Sequence, residues 1–333
     1  MHVLITGAAG FVGQRLLAAL LAQGSVGPSG GAAQAVTRID CLDVSAGALQ
    51  HENVHYHVGD IGDAAVLEPL ITADTGLIFH LAAVVSGSAE ADFDLGMRAN
   101  LQGMMNLLAQ ARAVGHKPTV VFSSSIAVFG GELPTLITDA TTPMPQGSYG
   151  VQKLIGEQLI QDYSRKGFIN GCSLRLPAVL VRPGAPNGAA SGFSSSIIRE
   201  PLAGREMVLP VPESTPMWSA SPDVCVANLL HAASLPQSAW GTNRSVNLPG
   251  LVVTMNEALA ALETLGGAEL RAKVRVALDP AITALVDTWA AHFETPRALA
   301  MGFARDADFL AMVRAYIRDN PQAIKVAIRP DAI

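Results

Sequence analysis

Cysteine, positive charge and long apolar runs are all scarce in this chain. Its three cysteines (Cys41, Cys172, Cys225) are far apart and odd in number. They build no disulfide scaffold and read as reduced, buried thiols of a cytoplasmic protein. Lysine and arginine total 22 against 28 acidic residues, a net charge of −6, and no basic run is present. That balance argues against nucleic acid or an anionic membrane as a partner. Apolar stretches such as Leu16 to Ala22 fall well short of the ~20 residues that cross a bilayer. The N-terminus enters a strand at His2 without a charged lead-in or cleavage site, so no targeting peptide is expected. His51, His55 and His57 lie close together, yet no metal-ligand motif accompanies them, and no metal is expected.

Hydrophobic residues make up 50% of the 333 positions, enough to bury about 75% of the unfolded surface in one large α/β unit or two fused lobes. Strands are expected at His2–Thr6, near Ala35–Cys41, and at Val54–Val58, Leu77–Leu81, Thr119–Phe122 and Cys172–Leu176. Between them, helical spacing runs over Gly10–Gln23, Asp63–Thr72, Ala91–Val114 and Ser148–Lys166. A flexible Gly/Ser/Ala stretch spans Gly24–Ala33. This alternation, with nearly continuous apolar strands, predicts a doubly wound parallel sheet. After Pro177 the rhythm breaks. Residues 182–196 read as a long loop, followed by helices at Ser194–Leu202, Asp223–Ser234, Asn256–Leu265 and Asp306–Arg318 and a strand at Ser245–Leu248. Residues 1–176 are therefore read as a dinucleotide-binding domain and 177–333 as mainly a smaller substrate lobe, with segments around 220–250 returning to the first.

Gly7, Gly10 and Gly13 sit between the first strand and helix, with Phe11 and Val12 in the first helical turn. In that context the glycines serve a tight turn, close approach of a pyrophosphate, and helix–strand packing, the Rossmann pattern. Asp40, at the end of the second strand, is the expected partner of an adenosine ribose, with Asp43 a rival; a carboxylate there favours NAD, while Arg38 leaves room for NADP. Tyr149 and Lys153 are one helical turn apart on a shared face. An ammonium beside a phenol favours its ionised form, and a lowered tyrosine can take the proton of an alcohol. His80 is read as a packed residue at a strand end.

Together with Gly59-Asp60-Ile61, His80-Leu81-Ala82-Ala83, Asn100 and the serines at 123–125, these motifs resemble the extended short-chain dehydrogenase/reductase family. The match is close over about residues 1–183. The resemblance implies adenine contacts at Asp60 and Ile61, and further cofactor contacts at Leu81, Ala82, Ala83, Ser123 and Pro177. It places Asn100 on the nicotinamide side and makes Ser125, Tyr149 and Lys153 the catalytic set. Ser125 is chosen by aligning Ser-Ile-Ala-Val-Phe-Gly, where Phe129 stands in place of the family's tyrosine. The helices at 91–114 and 148–166 resemble the family's dimer-forming pair, which implies a homodimer.

Many extended members act on nucleotide-diphosphate sugars, held by an asparagine and an arginine whose positions here are Ala178 and Pro216. Loss of a pyrophosphate-pairing arginine speaks against that substrate. The stretch from Leu176 to Leu202 is similar to D-erythronate dehydrogenases, which oxidise a four-carbon sugar acid at carbon 2. It offers Arg182 and Arg199 as carboxylate partners, unless either ties a loop or pairs with Glu200. Asn187, Ser191 and Ser86 are candidate hydroxyl partners, with Ser125 and Tyr149 on the reacting oxygen. The expected function is thus NAD-dependent oxidation of D-erythronate to 2-dehydro-D-erythronate. A nucleotide-sugar epimerase or dehydratase and a non-catalytic NAD-binding regulator are the alternatives.

Overall fold

Residues 1–184 and 191–332 are described by a computed structural model. Seven parallel strands form the main sheet: β1 (His2–Thr6), β2 (Arg38–Asp43), β3 (Val54–Val58), β4 (Thr75–His80), β5 (Thr119–Ser125), β6 (Asn170–Leu176) and, much later in the chain, Ser245–Asn247. Across the sheet the late strand lies beside β6, followed by β5, β4, β1, β2 and β3. The order reverses between β1 and β4, which opens a crevice at the carboxyl ends of those two strands.

Burial on both faces explains the apolar strands. On one face, α1 (Phe11–Gln23) buries Leu16, Leu17 and Leu20 against Val3, Ile5 and Phe79. On the other, α2 (Gly103–Val114) and α3 (Ser148–Arg165) bury Leu107, Leu108 and Ile160 against Leu4, Ile78 and Val120. After β6 the chain builds a second core. There α4 (Gly192–Leu202) and α6 (Met255–Arg271) pack Ile197, Ile198, Leu259 and Leu262 with Met312 and Val313. Between those two helices, α5 (Pro222–Ser234) returns to the first core through Cys225, Val226 and Leu229.

Two expectations require correction. The Gly24–Ala33 stretch is not a free linker. It forms a hairpin of Ser25–Val26 and Gln34–Ala35, and its tip is docked by hydrogen bonds from Ser29 to Thr119 and from Gln237 to Ser29. The helix expected over 91–114 is broken into Ser86–Ala91, Phe93–Gly96, a π-helical turn at Met97–Gln102 and then α2. Asp92 stops the first piece by capping the second, accepting from Leu95 N at 2.9 Å. Such π turns recur where a helix must re-aim a side chain, and here the re-aimed residue is Asn100.

Candidate active site

At the head of α1 the three glycines hold distinct jobs. Gly7 adopts φ +73°, and a Cβ there would lie 2.6 Å from Ala82 N, so only glycine lets the loop after β4 close on it. A Cβ on Gly13 would drive into the Gly7 carbonyl, locking helix to loop. Gly10 is exposed and meets only that carbonyl. No side chain caps α1, so the N–H groups of its first turn, at Phe11, Val12 and Gly13, lack intrahelical acceptors. A bare, positively polarised helix end behind an open glycine fits a dinucleotide pyrophosphate. Phe11 lies under the Arg15 guanidinium, 5.4 Å from its ring centre, and Val12 packs on the core.

Asp40 is not placed for a ribose. It lies inside β2, fully buried, and is consumed by Arg38, whose Nε and Nη2 both donate at 2.8 Å, and by His57 and His2. Burial alone would raise its pKa, but the hydrogen bonds from His2, Arg38 and His57 hold the carboxyl well below the usual range. β2 runs two residues further than expected, and its last residue, Asp43, takes the edge position. The Asp43 carboxylate accepts from Ala9 N at 2.9 Å and from Val44 N at 2.7 Å, beside the glycine loop. Asp40→Asn, which strands two histidines and an arginine around a neutral group, is expected to cost about 3 kcal/mol in denaturant titrations. Because the folded pKa is depressed, that contribution is complete above the ordinary carboxylate pKa of ~4 and fades as pH falls below it. Equal denaturation midpoints for Asp40→Asn and the parent would contradict this.

The crevice wall beyond β4 is braced rather than open. Leu81 N donates to Thr6 O at 3.1 Å, and Ala82 N to Thr6 Oγ1 at 3.3 Å. Thr6 Oγ1 also meets His80 Nδ1 at 2.8 Å. His80 is buried, stacks on Phe122, and is pushed down to about 3 by burial and by Lys153. Ala83 continues that wall, half-buried. Asn100 acts as a brace. Its amide oxygen accepts from Val84 N at 2.7 Å, and its nitrogen donates to Val84 O and Gln152 Oε1. Asp60 pairs with Arg98 at 2.6 Å and accepts from Gly62 N, while Ile61 is buried under α2. Pro177 is buried directly after β6.

Ser125, Tyr149 and Lys153 converge where β5 ends and α3 begins. Ser125 Oγ accepts from Ala127 N at 3.1 Å. Glu90 caps α3 by accepting from Ser148 N at 2.9 Å, which ties the short helix that starts at Ser86 to the turn bearing Tyr149. Lys153 Nζ donates to Ser123 O at 2.7 Å and lies 5.5 Å from the Tyr149 ring centre. The Ser123 hydroxyl is turned inward and donates to His80 O at 3.1 Å.

In the free protein, burial rather than Lys153 dominates the environment of the phenol. Tyr149 is half-buried by surface area, but loss of solvation dominates and pushes it up to about 12; Ser125 and the charge of Arg182 work the other way. Burial also pushes Lys153 down to about 7, against a raising pull from Glu157. At both groups loss of solvation outweighs the favourable neighbours.

Arg182 lies near enough for its charge to favour the phenolate. Its backbone is fixed on both sides, N donating to Ser195 Oγ at 3.2 Å and O accepting from Arg199 Nη1 at 3.1 Å. Among the described residues no carboxylate pairs with its guanidinium. Arg199 differs: it is buried and saturated by Glu200, Ser196 and the Arg182 carbonyl, so it ties the loop. Ser191 precedes α4, its carbonyl accepting from Ser194 N and Oγ. Asn187 lies outside the described residues. Ala178 and Pro216 stand in short strands, Ala178–Val179 and Pro216–Ala220, that pair with each other; neither brings a charge. Glu157, Arg175 and Ser124 form a buried cluster behind Lys153 that the motif reading missed, although Lys153 and Glu157 are four apart on one helix. No candidate metal cluster occurs among the described residues, and no described helix is long and apolar enough to cross a membrane.

Residues 3–233 match the profile described as the NAD dependent epimerase/dehydratase family. A D-erythronate dehydrogenase of Cupriavidus necator is 48% identical over 320 residues, 96% of this chain and 98% of that protein. Another from Haemophilus influenzae is 40% identical over 319 residues, 95% and 99% of the two chains. A crystal structure from Agrobacterium tumefaciens, described as a nucleoside-diphosphate-sugar epimerase, is 42% identical and superposes with a TM-score of 0.91, covering 97% of this chain and 95% of its own.

Proposed function

Because the chain belongs to the NAD dependent epimerase/dehydratase family, we propose that it oxidises the C2 hydroxyl of D-erythronate to 2-dehydro-D-erythronate. What supports this reading is the charge of Arg182 near the Tyr149 phenol, on a guanidinium that no carboxylate pairs among the described residues. A carboxylate held by Arg182 puts the adjacent carbinol at the tyrosine oxygen. The site then offers what a small hydroxylated anion needs, since its buried polar atoms require partners.

NAD supplies the hydride acceptor when bound. Ser125 holds the substrate oxygen, Tyr149 as phenolate takes its proton, and Lys153 keeps positive charge beside that phenolate until the proton arrives. The alcohol loses a proton to the chain and a hydride to the cofactor, leaving a ketone. Asp43, rather than Asp40, is assigned to the adenosine ribose. Asp43→Asn is expected to weaken NAD about tenfold and narrow the preference over NADP, while Asp40→Asn leaves NAD affinity unchanged. The opposite pattern in cofactor titrations would return the role to Asp40.

A second reading, action on a nucleotide sugar, is favoured by the description of the Agrobacterium protein. Ala178 and Pro216 speak against it, because neither can pair a pyrophosphate. An absorbance screen for NADH across three- to six-carbon aldonates, with nucleotide sugars alongside, separates the two. Turnover of sugar nucleotides with none of D-erythronate would overturn the proposal.

We also assign a cytoplasmic homodimer. All three cysteines are buried and free, as suits a reducing compartment. Phe93, Leu95, Met105, Val151 and Ile155 leave large apolar side chains exposed on the helices around α2 and α3. A monomeric mass by light scattering would refute the dimer.

A further inference from the structure

Behind Lys153, one turn along α3, Glu157 is entirely buried. Arg175 of β6 grips it with two bonds, Nε to Oε1 at 2.9 Å and Nη2 to Oε2 at 2.7 Å, and Ser124 Oγ donates to Oε1 at 2.5 Å. Arg175 in turn reaches Asn247 Oδ1 at 3.2 Å on the far edge strand. Two consecutive residues of β5, directly before Ser125, are thereby held by α3: Ser123 O by Lys153 and Ser124 by Glu157. We propose that Glu157 is a positioning residue that fixes the end of β5 and, through space, holds the positive charge on Lys153.

This inference rests on the proton chemistry proposed for Tyr149 and Lys153. Groups facing the lysine are few. On α3 they are Tyr149 and Glu157; from β4 comes His80, kept neutral by burial; from β5 come the Phe122 ring and the Ser123 carbonyl. Arg182 acts on the far side, at the phenol, and Arg175 sits behind Glu157. Glu157 is therefore the one carboxylate among described residues that pulls the lysine pKa up against its burial.

The tyrosine and lysine hold one proton between them in the working state. The productive arrangement is phenolate with ammonium, and the idle one is phenol with free amine. Removing the Glu157 charge disfavours every state that carries the ammonium. In Glu157→Gln the acidic limb of kcat/KM should move down by about one pH unit, and the plateau above it should fall about tenfold. Below the limb the two profiles should coincide, because both states compared there carry the ammonium. Glu157→Asp, which keeps the charge, should restore the shape of the profile. A bond-making role alone would instead lower the whole curve evenly in both variants.

A measurement without substrate separates this idea from the assignment of the reaction. The chain has five lysines, so an NMR titration of protein carrying 13Cε-lysine resolves Lys153, assigned with Lys153→Met. Its pKa should drop by about one unit in Glu157→Gln and stay near the parent value in Glu157→Asp. If Glu157→Gln does not fold, Glu157→Gln combined with Arg175→Gln removes the stranded charge; the Lys153 pKa should still drop, by less, because the opposing charge of Arg175 is lost too. A Lys153 titration that is unmoved in either overturns the inference, whatever the substrate proves to be.

Discussion

Tyr149→Phe is expected to lower turnover of D-erythronate by a thousandfold or more while leaving NAD affinity within about twofold. General base catalysis contributes roughly 10²–10⁴ in rate, and no other titratable group in the crevice can take over. His80 is buried with one ring nitrogen already on Thr6, and Lys153 is engaged by Ser123 O. The ring stays, so the packing at the start of α3 survives. Cofactor affinity is expected to persist because it is set by the glycine loop, the bare end of α1 and Asp43, and a single hydroxyl is a small part of that surface. Stopped-flow hydride transfer and NADH fluorescence titration read the two quantities separately. Near-parent turnover in Tyr149→Phe would remove the chemical basis of the proposed reaction.

Arg182→Met should raise KM for D-erythronate by roughly a hundredfold, the value of losing about 3 kcal/mol of charge-assisted hydrogen bonding. The carboxylate is bound alike before and during hydride transfer, so the loss belongs mainly in KM. A second, smaller effect should fall on kcat, since the same charge favours the phenolate. Arg182→Lys is expected to recover only part of the affinity, because a point charge cannot reproduce the planar fork. A neutral polyol of the same length should lose little with either variant, which distinguishes lost anion recognition from a collapsed site. Equal losses for the acid and the polyol would count against Arg182 as the carboxylate partner.

Sequence alone made the architecture legible where the physics is local. Apolar strands, helical spacing and the glycine turn each depend on near neighbours, and β1, β3, α1 and α3 fall within a residue or two of their expected ranges. The break in the helix over 91–114 was not legible, because it answers to Val84 and Gln152, which are distant in sequence. Asp40 misled for a related reason. Its spacing suited a strand end, but β2 continues to Asp43, and two of the three residues that consume Asp40, His2 and His57, come from other strands. The pairing of Tyr149 with Lys153 was visible as a turn of helix, whereas the cost of burying both was not. Desolvation depends on what the rest of the chain stacks around them. Arg182 and Arg199 looked alike on paper; Glu200 and Ser196 distinguish them only once α4 is folded.

The return of α5 and of the strand Ser245–Asn247 to the first sheet limits how such proteins can be recombined. A fragment cut after Leu176 would end on a naked strand edge and leave bare the apolar face that Cys225, Val226 and Leu229 now cover, a surface prone to self-association. Swapping halves with a relative at that point would mismatch an interface laid down by both halves. Grafts that exchange only the stretch between β6 and α5, which carries Arg182, keep the shared sheet whole and are the sensible units for altering which acid is accepted.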